Sequence, residues 1–275
     1  MTHVLLALAA LAYCAAGMGY LWYLLGVDPI AARLSAFALG AGLVLHGATL
    51  ALRASQYGFS PAMDVQDGLS LLAWFLGLAF LLLNGKWRVP ILGAFVVPLM
   101  LVVTLPALGR PTSGYSLPPA LHDAHLWVHV VVAFLGYAAF ALASLVGVAY
   151  LLQEHELKAQ RGGTSIWARL PSLELMDRLN ERFTLAGFIL LSVTIVTGAL
   201  FAHGIWGQTL SLLEPSELMT VVTWLLYGVL LWGRLQAGWR GRRAAVLTLL
   251  GFSVAMLSFI GLSFCPAGRH GGTFE

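Results

Sequence analysis

Long runs of apolar residues follow one another along this chain, separated by short segments that contain polar residues, glycine or proline. Each run has about 20 residues, the length that an α-helix needs to cross the hydrocarbon core of a bilayer. The pattern therefore predicts eight membrane-spanning helices joined by short connections. The predicted spans are residues 3–25, 30–52, 65–84, 89–108, 123–152, 183–204, 217–235 and 244–264.

Composition supports an all-α integral membrane protein, a bundle of about eight transmembrane helices. Hydrophobic residues make up 59% of the chain and charged residues only 10%, and the mean hydropathy is +0.85. In soluble domains about a quarter of the residues are charged, so the low charged fraction of this chain leaves no room for a sizeable soluble domain. We expect one transmembrane domain over residues 1–275, whose first apolar run is a retained helix because it exceeds the h-region of a signal peptide.

Basic residues give the predicted bundle an orientation. If the connections between spans 1–2, 3–4, 5–6 and 7–8 face the cytoplasm, they hold all of the 15 Lys and Arg residues except Arg53, Arg110 and Arg269. Positive charge concentrates on the cytoplasmic side of membrane proteins, so both termini are predicted to lie outside. This pattern also explains the pI of about 9.0 without a nucleic-acid partner.

The longest cytoplasmic connection, 153–182, is predicted to contain an amphipathic helix. Leu170, Leu173, Met176 and Leu179 fall at helical spacing, opposite charged residues. One interpretation is an interfacial helix that leads into the sixth span. The other is a docking site for a soluble cytoplasmic partner.

Histidines concentrate on the predicted outer side, where seven of the eight fall. Three of them, His122, His125 and His129, stand at spacings of three and four and therefore share one face at the start of span five. The same face continues inward through small residues. They are Ala133, Gly136, Ala143 and Gly147. Small residues allow close approach either of a neighbouring helix or of a flat cofactor, and helix packing is the commoner use.

Ionisable residues inside a span are costly, which makes His46 and His129 functional candidates. Two imidazoles from different helices, surrounded by apolar walls, are enough to hold a b-type heme. Zinc is less well supported, because no carboxylate or thiolate accompanies the histidines in a pattern typical of zinc sites.

Several stretches of the chain carry a specific pattern. The most specific are "HLWVHVVVAFLGYAAFALASLVGVAYLLQE" in span five and "GWRGRRAA" between spans seven and eight. Two further stretches support them, "LHGATLALRASQYGFSPAMDVQDGLSLLAW" across spans two and three and "LPSLELMDRLNERFTLAGF" before span six. Together they resemble the CcsA/ResC/CcmC group of cytochrome c assembly proteins, which are heme-handling membrane proteins.

The resemblance implies heme binding at the outer membrane surface, where two external histidines flank a tryptophan-rich loop called the WWD motif. His129 corresponds to the first histidine and His270 to the second, so these two are the implied axial ligands of the heme iron. His46 corresponds to a histidine of the second span. His203, Trp206 and His125 complete the candidate cofactor-binding set.

The corresponding outer loop, residues 205–216, departs from the family motif. It retains Trp206, Gly207 and Pro215, whereas leucine or threonine replaces the inner tryptophans. This degenerate WWD motif resembles the HemX/YpjD-like branch, and Trp232 occupies a place where cytochrome-assembly members often have histidine.

Three functions follow as alternatives. The first is delivery of heme b to the outer face of the bacterial cytoplasmic (inner) membrane during c-type cytochrome biogenesis, with a CcsB/ResB-like membrane partner and apocytochrome c; the chain is not expected to catalyse attachment by itself. The second is a HemX-like regulator or scaffold that contacts a cytoplasmic enzyme of heme synthesis through residues 153–182. The third is a b-type electron-transfer subunit.

Overall fold

Eight long α-helices form the described part of the protein in a computed structural model. The structure describes residues 2–26, 28–57, 65–108, 124–159, 166–206 and 215–263. The helices are α1 (Thr2–Gly26), α2 (Pro29–Tyr57), α3 (Val65–Trp87), α4 (Gly93–Thr104), α5 (Ala124–Lys158), α6 (Leu173–Trp206), α7 (Pro215–Gln236) and α8 (Arg242–Ser263). Short 3₁₀ turns at Pro90–Leu92 and Leu105–Leu108 extend α4 at its two ends.

All eight predicted spans are confirmed as helices that are long and apolar enough to cross a membrane, and no strand occurs in the described ranges. The chain is therefore an α-helical, multi-pass membrane protein. Because consecutive spans reverse direction, the starts of the odd-numbered helices and the ends of the even-numbered helices share one end of the bundle. We call this the histidine end, because His129 lies there, and we call the opposite end the arginine end, after Arg234.

Helix α5 occupies the centre of the bundle. It contacts α3, α6 and α8, while α1 pairs with α2 and α4. The larger part of the core lies among α1 to α5, and a smaller cluster forms where α5 meets α6, α7 and α8. In that cluster the rings of Phe140 and Tyr227 stack with their centroids 3.7 Å apart.

The stripe of small residues on α5 serves helix packing. A Cβ atom on Gly136 would lie 3.4 Å from Cβ of Leu190 in α6, and one on Gly147 would lie 3.3 Å from the carbonyl oxygen of Ala245 in α8. These positions are filled by neighbouring helices, so the helix-packing interpretation holds for this part of the stripe. A flat cofactor has no room against Gly136 or Gly147.

Helix α6 begins at Leu173, well before the predicted start of its span at residue 183. The amphipathic segment is thus continuous with the span, and its apolar side faces the protein: Met176 and Leu179 are buried. The polar side includes Asp177 and Asn180, which bind groups from α7 and α8. Hydropathy alone missed this extension because the charged residues lower the average of the segment.

A buried arginine joins three helices at the arginine end. Arg234 of α7 donates to Oδ1 of Asn180 at 2.5 Å and to Oδ1 of Asp177 at 3.4 Å, both on α6. The Asp177 carboxylate also accepts the backbone N–H of Gly241, 3.0 Å away, just before α8. Gly241 has a φ of 63°, a conformation in which glycine avoids the strain of a side chain. These bonds hold α6, α7 and the turn before α8 together.

Candidate functional site

The structure describes some of the candidate site residues with their side chains, some by their backbone alone, and some not at all. His46 lies in α2, and His129 lies in the second turn of α5. The backbone places His125 one turn before His129, and it places His203 and Trp206 in the last turns of α6, but their side chains lie outside the described part. His270 and most of the predicted outer loop, 205–216, lie outside the described residues altogether.

His129 contacts α6 in the last third of that helix, at Thr197. Its Nδ1 atom lies 3.1 Å from the hydroxyl oxygen of Thr197, and its side chain is half-buried. Because α5 and α6 run in opposite directions, the start of one lies beside the end of the other. His129 therefore lies at the histidine end of the bundle. The last turns of α6, which contain His203 and Trp206, lie at the same end.

Gly198 makes room for the imidazole of His129. A Cβ atom at this position would lie 2.9 Å from Cε1 of the ring, closer than side-chain carbons normally approach. The ring therefore packs directly on the backbone of α6. The ring is thus held at two atoms by consecutive residues of α6: Nδ1 is hydrogen-bonded to Thr197, and Cε1 packs against Gly198.

His46 has a different environment, inside the packing of α1, α2 and α3. Its side chain is completely buried. The Tyr13 hydroxyl lies 3.1 Å from Nδ1, and the Ser70 hydroxyl lies 2.8 Å from Nε2. A neutral imidazole has one donor and one acceptor nitrogen, so both nitrogens are engaged by these neighbours. Iron ligation by His46 would require one of these hydrogen bonds to break.

A salt bridge lies nearer the end of α2 than His46 does. Arg53 donates to Oδ1 of Asp67 in the first turn of α3 at 2.5 Å, and to the carbonyl oxygen of Ala107 at 3.4 Å. The Arg53 side chain is 12% exposed and that of Asp67 39% exposed. This contact ties α2, α3 and the turn after α4 together at the histidine end. The charge pattern of the sequence places Arg53 among the few basic residues of the predicted outer side and indicates no role for it.

Metal coordination by a cluster of protein side chains finds no support in the described ranges, which contain no group of three or more His, Cys, Asp and Glu residues able to hold an ion. A single imidazole with its second nitrogen held by a polar neighbour is a different arrangement. It is the usual form of an axial histidine ligand, whose other ring nitrogen is hydrogen-bonded to a fixed partner. The pairing of His129 with Thr197 fits one axial position of a heme.

The fold and this histidine define a class of protein: a multi-pass helical membrane protein with a hydrogen-bonded imidazole near one end of its helix bundle. Comparison with known proteins gives the family. The family described as cytochrome C assembly protein matches residues 62–270, most of the chain, from the start of α3 to beyond α8. The chain belongs to this family.

Individual relatives are described as cytochrome c biogenesis proteins. The cytochrome c biogenesis protein CcsA of Synechococcus sp. strain WH7803 is 31% identical over 265 residues, covering 84% of this chain and 82% of the relative. The CcsA protein of Synechococcus sp. strain CC9902 is 32% identical over 251 residues, with 82% of each chain covered. The CcsA protein of Prochlorococcus marinus strain MIT 9301 is 30% identical, covering 80% of this chain and 78% of the relative.

The family assignment confirms the resemblance inferred from the span-five motif and from "GWRGRRAA". It establishes a role in the assembly of c-type cytochromes, a process that handles heme. The structure also supplies a physical reason for the second motif: Gly241, within it, donates its backbone N–H to Asp177 of α6. That motif belongs to the packing at the arginine end.

Proposed function

We propose that this protein binds heme at the outer face of the bacterial cytoplasmic membrane and presents it for attachment to apocytochrome c. The observation that carries the proposal is His129, held by Thr197 at the end of the bundle where the sequence places most of the histidines. The family assignment supports heme handling as the purpose of such a histidine. The orientation is inferred from the excess of Lys and Arg at the other end.

Within this proposal, His129 is one axial ligand of the heme iron and His270 is the other. His203, Trp206 and His125 are assigned to the surroundings of the heme, because α6 and α5 carry them toward the same end as His129. When bound, heme supplies an iron whose axial positions accept imidazole nitrogens. The cargo is heme b, the form that precedes covalent attachment, and it is a substrate in transit.

His46 takes a structural role in the proposal. It lies deeper in the bundle, is completely buried, and is hydrogen-bonded through both ring nitrogens. A ligand must keep one ring nitrogen directed at iron. We therefore assign His46 to the packing of α1, α2 and α3.

Partners are proposed from the family. Attachment of heme requires an apocytochrome c, and a CcsB/ResB-like membrane protein is the expected companion in the membrane. Trp232 of α7 is 67% exposed, although tryptophan in a membrane span also faces lipid without a partner.

The regulatory alternative is less well supported by the packing. It requires residues 153–182 to dock a soluble enzyme, and the apolar side of this segment is covered within the bundle, where Met176 is completely buried. The polar side retains exposed charges, such as Glu174. No described contact favours an enzyme of heme synthesis over other partners.

The proposal is tested by heme content and by cytochrome maturation. We expect the protein, purified after heme-replete expression, to show a Soret band that falls to background in the His129→Ala/His270→Ala double variant. The same variant should abolish covalent heme on c-type cytochromes in a strain that lacks the native protein. His155→Ala is the matched control, because His155 is exposed near the far end of the same helix.

Two outcomes would contradict the proposal. One is purified protein without heme that still restores cytochrome maturation. The other is normal maturation together with a changed abundance of an early enzyme of heme synthesis after deletion of the gene, the result that the regulatory alternative predicts.

A further inference from the structure

The hydroxyl oxygen of Thr197 has three hydrogen-bonding partners within reach: two carbonyl oxygens of its own helix and a ring nitrogen of His129. The carbonyl oxygen of Val193 lies 2.9 Å away and that of Thr194 lies 3.1 Å away, both on α6. Nδ1 of His129 also lies 3.1 Å away. A hydroxyl has a single proton, and threonine in a helix commonly donates it to the carbonyl four residues earlier. The shortest contact, to Val193, agrees with that assignment.

With its proton directed to the helix backbone, the Thr197 oxygen presents a lone pair to His129. Nδ1 must then carry the ring proton and donate it, since two lone pairs do not form a hydrogen bond. A neutral imidazole has only one N–H group, so Nε2 becomes the nitrogen with the lone pair. The contact to Thr197 thus selects the tautomer of His129.

Gly198 adds a steric constraint on the same ring. Cε1, the atom that a Cβ at Gly198 would approach to 2.9 Å, is bonded to both ring nitrogens. A methyl group here would push Cε1 away from α6 and would turn Nδ1 away from Thr197. Rotation of the ring would also redirect Nε2.

We infer that Thr197 and Gly198 are positioning residues that prepare Nε2 of His129 to bind heme iron. The inference rests on the proposed function, because it takes the iron of a heme as the partner of Nε2. Neither residue was singled out in the sequence, and neither touches the iron in this account. Their effect passes through the tautomer and the orientation of one imidazole.

The first test needs no heme. Protein labelled with ¹⁵N-histidine is compared by NMR with its Thr197→Val and Thr197→Ser variants, and the His129 signal is assigned by its disappearance in His129→Gln. We expect the ¹⁵N shifts of the original protein and of Thr197→Ser to report the Nδ1–H tautomer. Thr197→Val, which keeps the shape and removes the oxygen, should shift toward the Nε2–H tautomer or an average of the two.

The second test measures heme. Loss of a partner that orients a metal-binding histidine typically weakens binding about 10- to 100-fold, and we expect this range for Thr197→Val and for Gly198→Ala. Thr197→Ser should retain the original affinity. The midpoint potential of bound heme should rise in Thr197→Val, because an imidazole without a hydrogen bond at Nδ1 is a weaker electron donor to iron.

The matched control is Thr194→Val, which removes a threonine hydroxyl one turn earlier on α6. That hydroxyl donates to the carbonyl oxygen of Leu190 at 2.9 Å, so its loss should leave heme affinity, potential and the His129 tautomer unchanged. Thermal unfolding of every variant identifies any general loss of structure.

Two outcomes would overturn the inference. If the original protein binds heme through His129 while Thr197→Val has the same tautomer, affinity and potential, the positioning role is wrong and the proposed function stands. If His129→Ala binds heme as tightly as the original protein, the proposed function is wrong, and the positioning role falls with it.

Discussion

His46 and His129 were both candidates for the same task, and their surroundings differ sharply. His46 is completely buried among three helices with both ring nitrogens engaged. His129 is half-buried at the histidine end and is held through Nδ1 by Thr197. The difference shows that the depth of a histidine inside a span does not by itself identify a ligand.

The first prediction concerns how much the buried polar contacts at the arginine end contribute to the free energy of unfolding. Arg234→Met should lower the free energy of unfolding by about 3–5 kcal/mol, because it leaves the Asp177 carboxylate without its cation. Arg242→Met is the control: its partner Glu154 is 3.7 Å away and the Arg242 side chain is 67% exposed, so less than about 1 kcal/mol should be lost. Denaturation in detergent measures both. Equal losses would contradict the structural role of Arg234.

The second prediction contrasts the two histidines in the same assay. His46→Ala should lower the free energy of unfolding by about 2–4 kcal/mol, since it creates a cavity and leaves the hydroxyls of Tyr13 and Ser70 without their partner. His129→Ala should cost less than about 1 kcal/mol, because its ring is only half-buried. A larger loss for His129→Ala than for His46→Ala would break the comparison.

The third prediction concerns the individual hydrogen bonds of His46. Tyr13→Phe and Ser70→Ala should each lower the free energy of unfolding by about 1 kcal/mol, the usual contribution of one buried hydrogen bond. Both variants should bind heme as the original protein does, because the accounts of His46 and His129 are independent. Loss of heme from either single variant would connect His46 to the site.

Hydropathy was sufficient to predict the eight spans, because an apolar run of membrane length has few alternatives to a helix. It could not predict that α6 begins at Leu173. Charged residues such as Asp177 are counted against a span, whereas in the folded protein Asp177 is paired with Arg234. That pairing joins positions far apart in the chain, and no local sequence pattern predicts it.

The candidate site was only partly predictable. Helical spacing and the family motif selected His129, whereas its place inside a span and the same family resemblance selected His46. Thr197 and Gly198 are ordinary residues of an apolar span, and nothing in their neighbourhood of the sequence distinguishes them from Thr194. Their importance depends on α5 and α6 lying side by side, so only the packing reveals it. The tryptophan-poor loop and His270 stay predictions from the sequence.

The most direct measurement of the central claim is the ratio of heme to folded protein in His129→Ala and His46→Ala, purified side by side at a temperature at which both remain folded. We expect His129→Ala to lose most of its heme and His46→Ala to retain the ratio of the original protein. Retention of heme by His129→Ala together with its loss from His46→Ala would contradict the account.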